Sequence, residues 1–142
     1  MSITSADATI MLTVAGLYDT PVEITNFLAE DIFKMAMARH AEVTMGADGK
    51  KTQGFVFTTR SQTFGLLADS PSCDIVDQWN DYEERGIVTL RADMQITLPA
   101  VGKVWTCSNG TLTEFNQMPD AGKLLGGRHF TIEWERVAGA PL

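Results

Sequence analysis

Apolar and polar residues alternate with a period of two in the stretch GIVTLRADMQITLP, residues 86–99. Its apolar positions are Val88, Leu90, Ala92, Met94, Ile96 and Leu98. Because successive side chains of a strand point to opposite faces, the alternation predicts a long β-strand with one buried and one wet face. So long a strand needs a large sheet, which a small chain does not easily build alone. We therefore expect other copies of the chain to complete the sheet.

Further strands follow from patterns of the same kind. They are predicted at residues 7–14 (DATIMLTV), 22–27 (VEITNF), 52–67 (TQGFVFTTRSQTFGLL, as one strand or two), 102–108 (GKVWTCS) and 128–137 (RHFTIEWERV). In the first of these, the even positions from Ala8 to Val14 share one face. In the last, the even positions from Phe130 to Trp134 share one face, and the odd positions from His129 to Glu135 share the other. These alternations predict a chain built mainly of β-strands.

Turn residues separate the predicted strands. Asp48 and Gly49 in MGADGKK suit a tight reversal, in which the backbone takes a positive φ. The stretches AGLYDTP (residues 15–21) and NGTLTEFNQMPDAG (residues 109–122) are also predicted to be turns. The last residues of the chain, about 138–142, are predicted to be a loose end.

One helix is predicted over SPSCDIVDQWNDYEERG, residues 70–86. Ser70 or Ser72 can accept a hydrogen bond from the first-turn amides, and Pro71 fits the first helical position. Gly86 is expected to end the helix. Asp74 and Asp77 near its start and Arg85 near its end complement the helix dipole, while Ile75, Val76, Trp79 and Tyr82 form an apolar stripe.

The segment NFLAEDIFKMAMARHAEV, residues 26–43, allows two interpretations. Its composition favours a helix that Asn26 caps. Phe33, Met35 and Met37 also alternate with more polar neighbours, as in a strand. The strand patterns together predict a mainly antiparallel β fold, a sandwich or barrel with one α-helix laid on it.

Size and charge narrow the function. A chain of 142 residues has the length of one domain, residues 1–142, with 44% hydrophobic and 20% charged residues. Its net charge is −7, with eleven basic against eighteen acidic residues, so tight binding to nucleic-acid phosphates is not expected. No apolar run is long enough to span a membrane, and the first residues do not resemble a signal peptide.

Candidate chemistry is sparse. Cys73 and Cys107 lack the spacing of a metal site and are expected to be reduced core residues. His40 and His129 have no neighbour at a metal-ligand spacing, although a Cys–His pair could still form in space. The acidic residues of the predicted helix suit a solvated face. We therefore predict no catalytic residues, no metal and no cofactor, and a protein that is not an enzyme.

Several short motifs occur in an order that resembles the tail tube proteins of contractile-tailed bacteriophages. The motifs are VEITNFLAEDIF (22–33), MGADGK (45–50), LADSPSCDIVDQW (67–79) and RHFTIEWERV (128–137). The likeness spans about residues 7–137, and the order and spacing of the motifs carry it. This resemblance favours a strand over Asp31–Met37 in place of the helix that propensity suggests.

The resemblance also implies a function. Tail tube proteins form six-membered rings that stack into the hollow inner tube of the virion tail, and each subunit adds strands to one shared barrel. The expected partners are further copies of the chain and the tail sheath, tape measure and baseplate proteins. DNA is expected only as passing cargo, and assembly in the host cytoplasm. Two alternatives stay open: the tube protein of a contractile injection or secretion system, and a small β-barrel that binds a ligand.

Two sets of site residues follow from the tube hypothesis. The hairpin tip Gly46, Ala47, Asp48, Gly49 and Lys50 is expected to contact a neighbouring subunit or the next ring. Asp93, Glu133 and Glu135, on the polar faces of the long strands, are expected to face the lumen. An acidic wall would not grip DNA phosphates, because like charges repel.

Overall fold

The computed structural model describes residues 8–28 and 32–142. Its elements, in chain order, are β1 (Thr9–Val14), β2 (Tyr18–Ile24), β3 (Phe33–Met35), β4 (Ala41–Met45), β5 (Lys51–Phe55), β6 (Arg60–Leu66), α1 (Ser72–Gly86), β7 (Ala92–Leu98), β8 (Lys103–Phe115) and β9 (Arg128–Pro141). In this part of the chain, no helix has the length and apolarity that crossing a membrane requires.

Seven strands form one antiparallel sheet in the order β2-β1-β7-β8-β9-β6-β3, and β4 pairs only with β5. The sheet curls so that its ends approach each other, because the chain just after β2 runs beside the end of β6. There Phe27 bridges Leu66, and the backbone N–H of Leu28 donates to the oxygen of Gly65 at 3.0 Å. The predicted fold class, a mainly β, antiparallel sandwich or barrel with one helix, is therefore confirmed.

Side chains from the strands and from α1 fill one core. The largest fully buried side chains include Trp79, Trp134, Phe64 and Phe130, and the last two rings stack with centroids 4.9 Å apart. The predicted alternation holds in β1 and in β9 as far as Trp134, where the inward positions are buried and the outward positions are at least partly exposed. The barrel interior is therefore filled by its own side chains.

The two serines at the start of α1, Ser70 and Ser72, do more than the predicted capping. Ser70 Oγ donates to the oxygen of Thr25 at 2.7 Å and accepts from the N–H of Ser72 at 3.2 Å. Ser72 Oγ accepts from the N–H of Thr25 at 2.8 Å. The SPS motif thus ties the start of the helix to the end of β2. Pro71, with φ −63° and ψ −21°, has helical geometry just before the assigned start.

The end of α1 differs from the prediction. Gly86 is still helical, and the left-handed residue that ends the helix is Ile87, with φ 52° and ψ 49°. The N–H of Ile87 bonds to the oxygen of Glu83. The buried stripe of the helix also lies further round than predicted, because Tyr82 is 47% exposed while Cys73 is buried. One face of the helix thus includes polar Glu83, whose carboxylate accepts from the Trp79 indole N–H at 2.8 Å.

Four predicted boundaries are wrong. The strand predicted over residues 88–98 begins at Ala92. The residues before it connect the end of α1 to the strand, and Val88 among them is half exposed. β2 begins at Tyr18, inside the predicted turn. β8 runs straight through Asn109 and Gly110, which form a bulge against β7 rather than a reversal. β9 continues to Pro141 in pairing with β8, so Ala138–Pro141 are not a loose end.

The ambiguous segment is not a helix where the structure describes it. Phe33–Met35 form β3 on the edge beside β6, which confirms the strand that the resemblance favours for these three residues, while Ala36 and Met37 lie outside it. Ala41–Met45 form β4. Residues 29–31 of the predicted segment, with Asp31 among them, lie outside the described residues. The stretch of residues 52–67 forms two strands, β5 and β6, rather than one.

Candidate functional site

The strands β4 and β5 form a hairpin arm, defined here as Ala41–Phe55. At its tip the N–H of Gly46 donates to the oxygen of Lys50 at 2.8 Å, and the N–H of Gly49 donates to the oxygen of Gly46 at 3.0 Å. Gly49 has φ 83°, a conformation that glycine adopts without strain. Asp48 Oδ1 accepts from the N–H of Lys50 at 3.1 Å. The predicted tip, Gly46–Lys50, is thus a locally hydrogen-bonded turn.

Every residue of both arm strands is exposed. The pairing Ala41↔Phe55, Val43↔Gln53 and Met45↔Lys51 places the apolar side chains of the arm on one of its faces. Val43, Met45 and Phe55 are each more than half exposed on that face. Contiguous exposed apolar surface in a soluble protein marks an interaction site.

Aromatic residues at the base of the arm form a small exposed cluster. The ring of His40 meets the ring of Phe55 edge-on with centroids 5.0 Å apart, and Phe55 meets Phe57 in the same way at 4.9 Å. Phe57 itself is 91% exposed. His40 thus packs against the Phe55 ring. The cluster of His40, Phe55 and Phe57 extends the apolar face of the arm toward the rest of the protein.

The three predicted lumen residues lie together on the outer face of the sheet. Asp93 in β7 and both Glu133 and Glu135 in β9 alternate with buried residues and so point away from the core. Asn109 joins two of them: its backbone N–H donates to Asp93 Oδ1 at 3.1 Å, and its side-chain amide donates to Glu135 Oε2. The guanidinium of Arg91 partly neutralises the charge of Asp93, with 3.5 Å between Nη2 and Oδ1. We call these three carboxylates the acidic face.

Sequence reasoning missed Asn109 as part of this site. Its Asn-Gly dipeptide indicates a turn, but the left-handed φ of 51° here serves a bulge within β8. An open depression of about 660 Å³ connects the acidic face with the base of the arm. Its lining residues are Phe57, Thr58, Thr59, Asn109, Thr111, Thr113, Glu133 and Glu135.

A second feature is an apolar cleft that lies between β3 and the strands β7, β8 and β9, with a volume of about 200 Å³. Its lining residues are Phe33, Met35, Gln62, Ile96, Leu98, Trp105, Cys107 and Val137. Trp105 lies over Gly139 so closely that a β-carbon on the glycine would be 2.9 Å from the indole nitrogen. We call this feature the seam cleft, because it lies beside the end of β9.

The two cysteines are free and buried. Burial raises the pKa of the Cys107 thiol to about 11, and burial also raises the pKa of Cys73. Both thiols are therefore protonated near neutral pH, where a nucleophile needs a thiolate. His129 is exposed, and its backbone N–H donates to Asn116 Oδ1 at 2.5 Å. Within residues 8–28 and 32–142, no group of three or more His, Cys, Asp or Glu side chains could hold a metal ion.

Comparisons with known proteins agree with this geometry. The family described as Tail fiber protein gp32 matches residues 1–138. No curated protein matches the sequence. This family match covers almost the whole chain.

Solved structures with the same fold come from contractile assemblies. The tube terminating cap of the anti-feeding prophage has 15% identity and a TM-score of 0.65, over 100% of this chain and 93% of that chain. The sheath/tube terminator of the extracellular contractile injection system PVC has 12% identity and a TM-score of 0.67, over 99% and 97%. A chain of the PVC sheath-tube complex has 13% identity and a TM-score of 0.64, over 94% and 88%.

Identities this low show a shared fold and no more, since one fold supports many functions. The family match, in contrast, covers most of the chain. The protein belongs to the family described as Tail fiber protein gp32, and it shares its fold with tube, tube-terminator and cap proteins of contractile assemblies.

Proposed function

We propose that the protein forms six-membered rings that stack into the hollow inner tube of a contractile tail, through which DNA passes. The hairpin arm carries this proposal. The arm is exposed on both faces, and one face carries the apolar side chains of Val43, Met45 and Phe55. The rest of the described chain does not cover this apolar face. In an assembly, a neighbouring copy covers that surface.

The same proposal assigns the partners and the place. The chain would assemble with itself, with sheath and tape measure proteins and with the baseplate, in the host cytoplasm, and would reside in the virion tail. The solved structures of the same fold are parts of a tube cap, a sheath-tube complex and a baseplate, which supports this assignment. The role is structural, and no reaction is assigned to the protein.

The acidic face fits a lumen wall. Asp93, Glu133 and Glu135 form a negative patch among threonine side chains, and the ring would repeat that patch around its axis. A wall of this kind repels DNA phosphates and lets the duplex slide.

Electron microscopy and light scattering of the purified chain test the assembly. Wild-type protein is expected to form rings and tubes with a central channel. Replacing the arm, residues 41–55, with a short Gly-Ser linker should give soluble single subunits, because β4 and β5 pair only with each other. Tubes that grow normally without the arm would contradict the proposal. Met118→Ser, at an exposed apolar site outside the arm, is the control and should assemble normally.

Charge reversal tests the lumen separately. Asp93→Lys, Glu133→Lys and Glu135→Lys together should make assembled tubes retain double-stranded DNA at low salt, which wild-type tubes release. Because three other exposed acidic residues would be a poor control for this triple variant, single charge reversals are compared instead. Glu135→Lys should retain DNA and Asp120→Lys, in the loop before β9, should not. Equal retention by both would contradict an inward acidic face.

A second candidate function is the tube, or the tube terminator, of a contractile injection system. The matches to the prophage cap and the PVC terminator favour it, since both align with nearly the whole chain. The two candidates differ in cargo. Tubes isolated from the native particle would contain or release DNA in the first case and protein in the second. The third alternative, a ligand-binding barrel, finds little support in an interior filled by Trp79, Trp134 and Phe64.

A further inference from the structure

β9 is longer than the strand beside it. β6 pairs with β9 only from Arg128 to Trp134, and its ladder ends at the pair Arg60↔Trp134. Beyond that point Arg136–Pro141 pair with β8 on one side, and nothing in residues 8–28 or 32–142 pairs with them on the other. The chain before β6 does not continue along β9, because it departs into the hairpin arm. The sheet therefore lacks one strand at this position.

The backbone of this edge has groups to offer a partner. The N–H of Leu142 donates to the oxygen of Gly102 at 2.9 Å, so Leu142 directs its N–H toward β8 at this end of the ladder, while the N–H of Gly102 bonds to the turn oxygens of Leu98 and Pro99. Hydrogen-bonded and non-hydrogen-bonded pairs alternate along an antiparallel ladder. Val137 and Gly139 consequently direct their N–H and C=O groups away from β8, along the unpaired edge. An exposed edge of this kind is a template for another strand.

The seam cleft lies beside the same edge. Val137 and Trp105 form its wall on the β8–β9 side, and Phe33 and Met35 form the wall on the β3 side. A strand that paired with β9 here would place every second side chain over this cleft. The cleft is apolar and holds about 200 Å³, which suits side chains of an incoming strand rather than a separate ligand of drug size.

The hairpin arm carries the complementary surface. β4 and β5 pair with each other, so each has one edge without a described strand partner. Its apolar side chains Val43, Met45 and Phe55 share one face, at the spacing that a strand uses to fill a cleft. The described part of the chain thus has a hairpin arm with free edges and a free edge on β9 beside the seam cleft. Within one subunit the arm stays exposed and does not cover the seam cleft.

We propose that the hairpin arm of one copy pairs with the free edge of β9 in a second copy and inserts its apolar face into the seam cleft. This inference rests on the proposed function, and it assigns the contact between neighbours. Each copy would donate one arm and accept one arm. Such a head-to-tail contact is heterologous, and heterologous contacts close into rings when the rotation between copies permits. Pairing by an added strand supplies backbone hydrogen bonds, while the cleft supplies the selectivity.

Two variants remove the two halves of the contact. On the arm, Val43→Glu with Phe55→Glu puts charge on the apolar face. Thr44→Glu with Thr52→Glu puts the same charge on the opposite face and is the control, because Thr44 and Thr52 are paired there. Neither pair of substitutions affects the barrel core, since all four side chains are exposed.

On the seam, Gly139→Pro removes the outward N–H. Its matched control is Gly139→Ala, which adds the same β-carbon next to Trp105 and keeps the N–H. Because the N–H of Gly139 points away from β8, the proline leaves the β8–β9 ladder intact. Any general effect of crowding Trp105 will therefore be present in both variants.

Sedimentation velocity of each variant, and of mixtures, is the measurement. The arm variant and Gly139→Pro should each weaken self-association by roughly 100-fold, the scale of losing central contacts in an interface. Both control variants should assemble like wild type. An equimolar mixture of the arm variant and Gly139→Pro should form heterodimers and nothing larger, because only one complete contact remains.

The outcomes separate this inference from the proposed function. Wild-type rings that form equally well with Gly139→Pro or with the arm variant would overturn the seam contact and keep the rings. Wild-type dimers or open chains that the two variants abolish would keep the seam contact and overturn the rings. A mixture of the two variants that stays monomeric would overturn the head-to-tail pairing.

Discussion

Arg128 in β9 and Asp77 in α1 are joined by two hydrogen bonds, Nη1 to Oδ2 at 3.2 Å and Nη2 to Oδ1 at 2.5 Å. The guanidinium is buried and also lies 4.8 Å from the centre of the Phe115 ring. The hydrogen bonds to Asp77 raise the pKa of Arg128 above its usual value. This ion pair connects α1 to β9.

Asp77→Ala should destabilise the protein by about 2–3 kcal/mol, because it leaves a buried guanidinium without its counter-ion. This is less than the usual loss of about 3–5 kcal/mol for a fully buried pair, since the Asp77 side chain is 44% exposed and solvent screens the pair. Urea denaturation at neutral pH measures the loss. Asp81→Ala removes an exposed carboxylate paired with Arg85 on the same helix and should cost no more than about 0.5 kcal/mol. Equal losses in both variants would contradict a special role for the buried pair.

Gly110→Ala should destabilise the barrel by about 1–3 kcal/mol, the range of overpacked cores. A β-carbon at this position would be 2.4 Å from two ring carbons of Trp134, whose indole N–H is held by Gln62 at 3.0 Å. Gly54→Ala is the control, because nothing lies within 4 Å of a β-carbon there. Thermal unfolding should show a clear drop for the first variant and almost none for the second. A neutral Gly110→Ala would mean that Trp134 is free to move.

Stability should fall as the pH rises from about 9 to about 11. The thiol of Cys107 has a pKa of about 11 in the folded protein and 9.0 as its ordinary value, so above pH 9 the unfolded chain loses a proton that the folded chain keeps. Fewer protons on the unfolded chain make the free energy of unfolding decrease with pH, by about 2–3 kcal/mol across this window. Cys107→Ala should flatten this dependence, and the raised pKa of Cys73 should leave a residual slope. An unchanged slope in Cys107→Ala would contradict the prediction.

Ile87→Gly should stabilise the isolated chain by about 1 kcal/mol. A β-branched residue in the left-handed conformation is strained, and Ile87 is 92% exposed, so its removal loses little buried surface. Ile87→Asn, a residue that tolerates this conformation, should shift stability in the same direction. Chemical denaturation of the two variants beside wild type decides the point. Destabilisation by glycine would show that the isoleucine side chain has a packing role.

The sequence determined the faces of the regular strands. In β1 and β9 the apolar alternation correctly predicted which side chains are buried, because a strand has a fixed period of two and each inward position meets the core. It also placed the helix and the turn at Asp48–Gly49, since capping and positive-φ preferences act within a few residues.

Only the tertiary structure decided features that depend on distant partners. Asn109–Gly110 read as a reversal locally, yet pairing with β7 and β9 keeps both residues in one strand and turns them into a bulge. Ala138–Pro141 carry no apolar pattern of their own, and β8 holds them in the sheet through backbone hydrogen bonds, which do not depend on side-chain type. Asp93 and Glu135 lie in one site because Asn109 bonds to both. The order of strands that brings them together depends on pairing between residues distant in sequence.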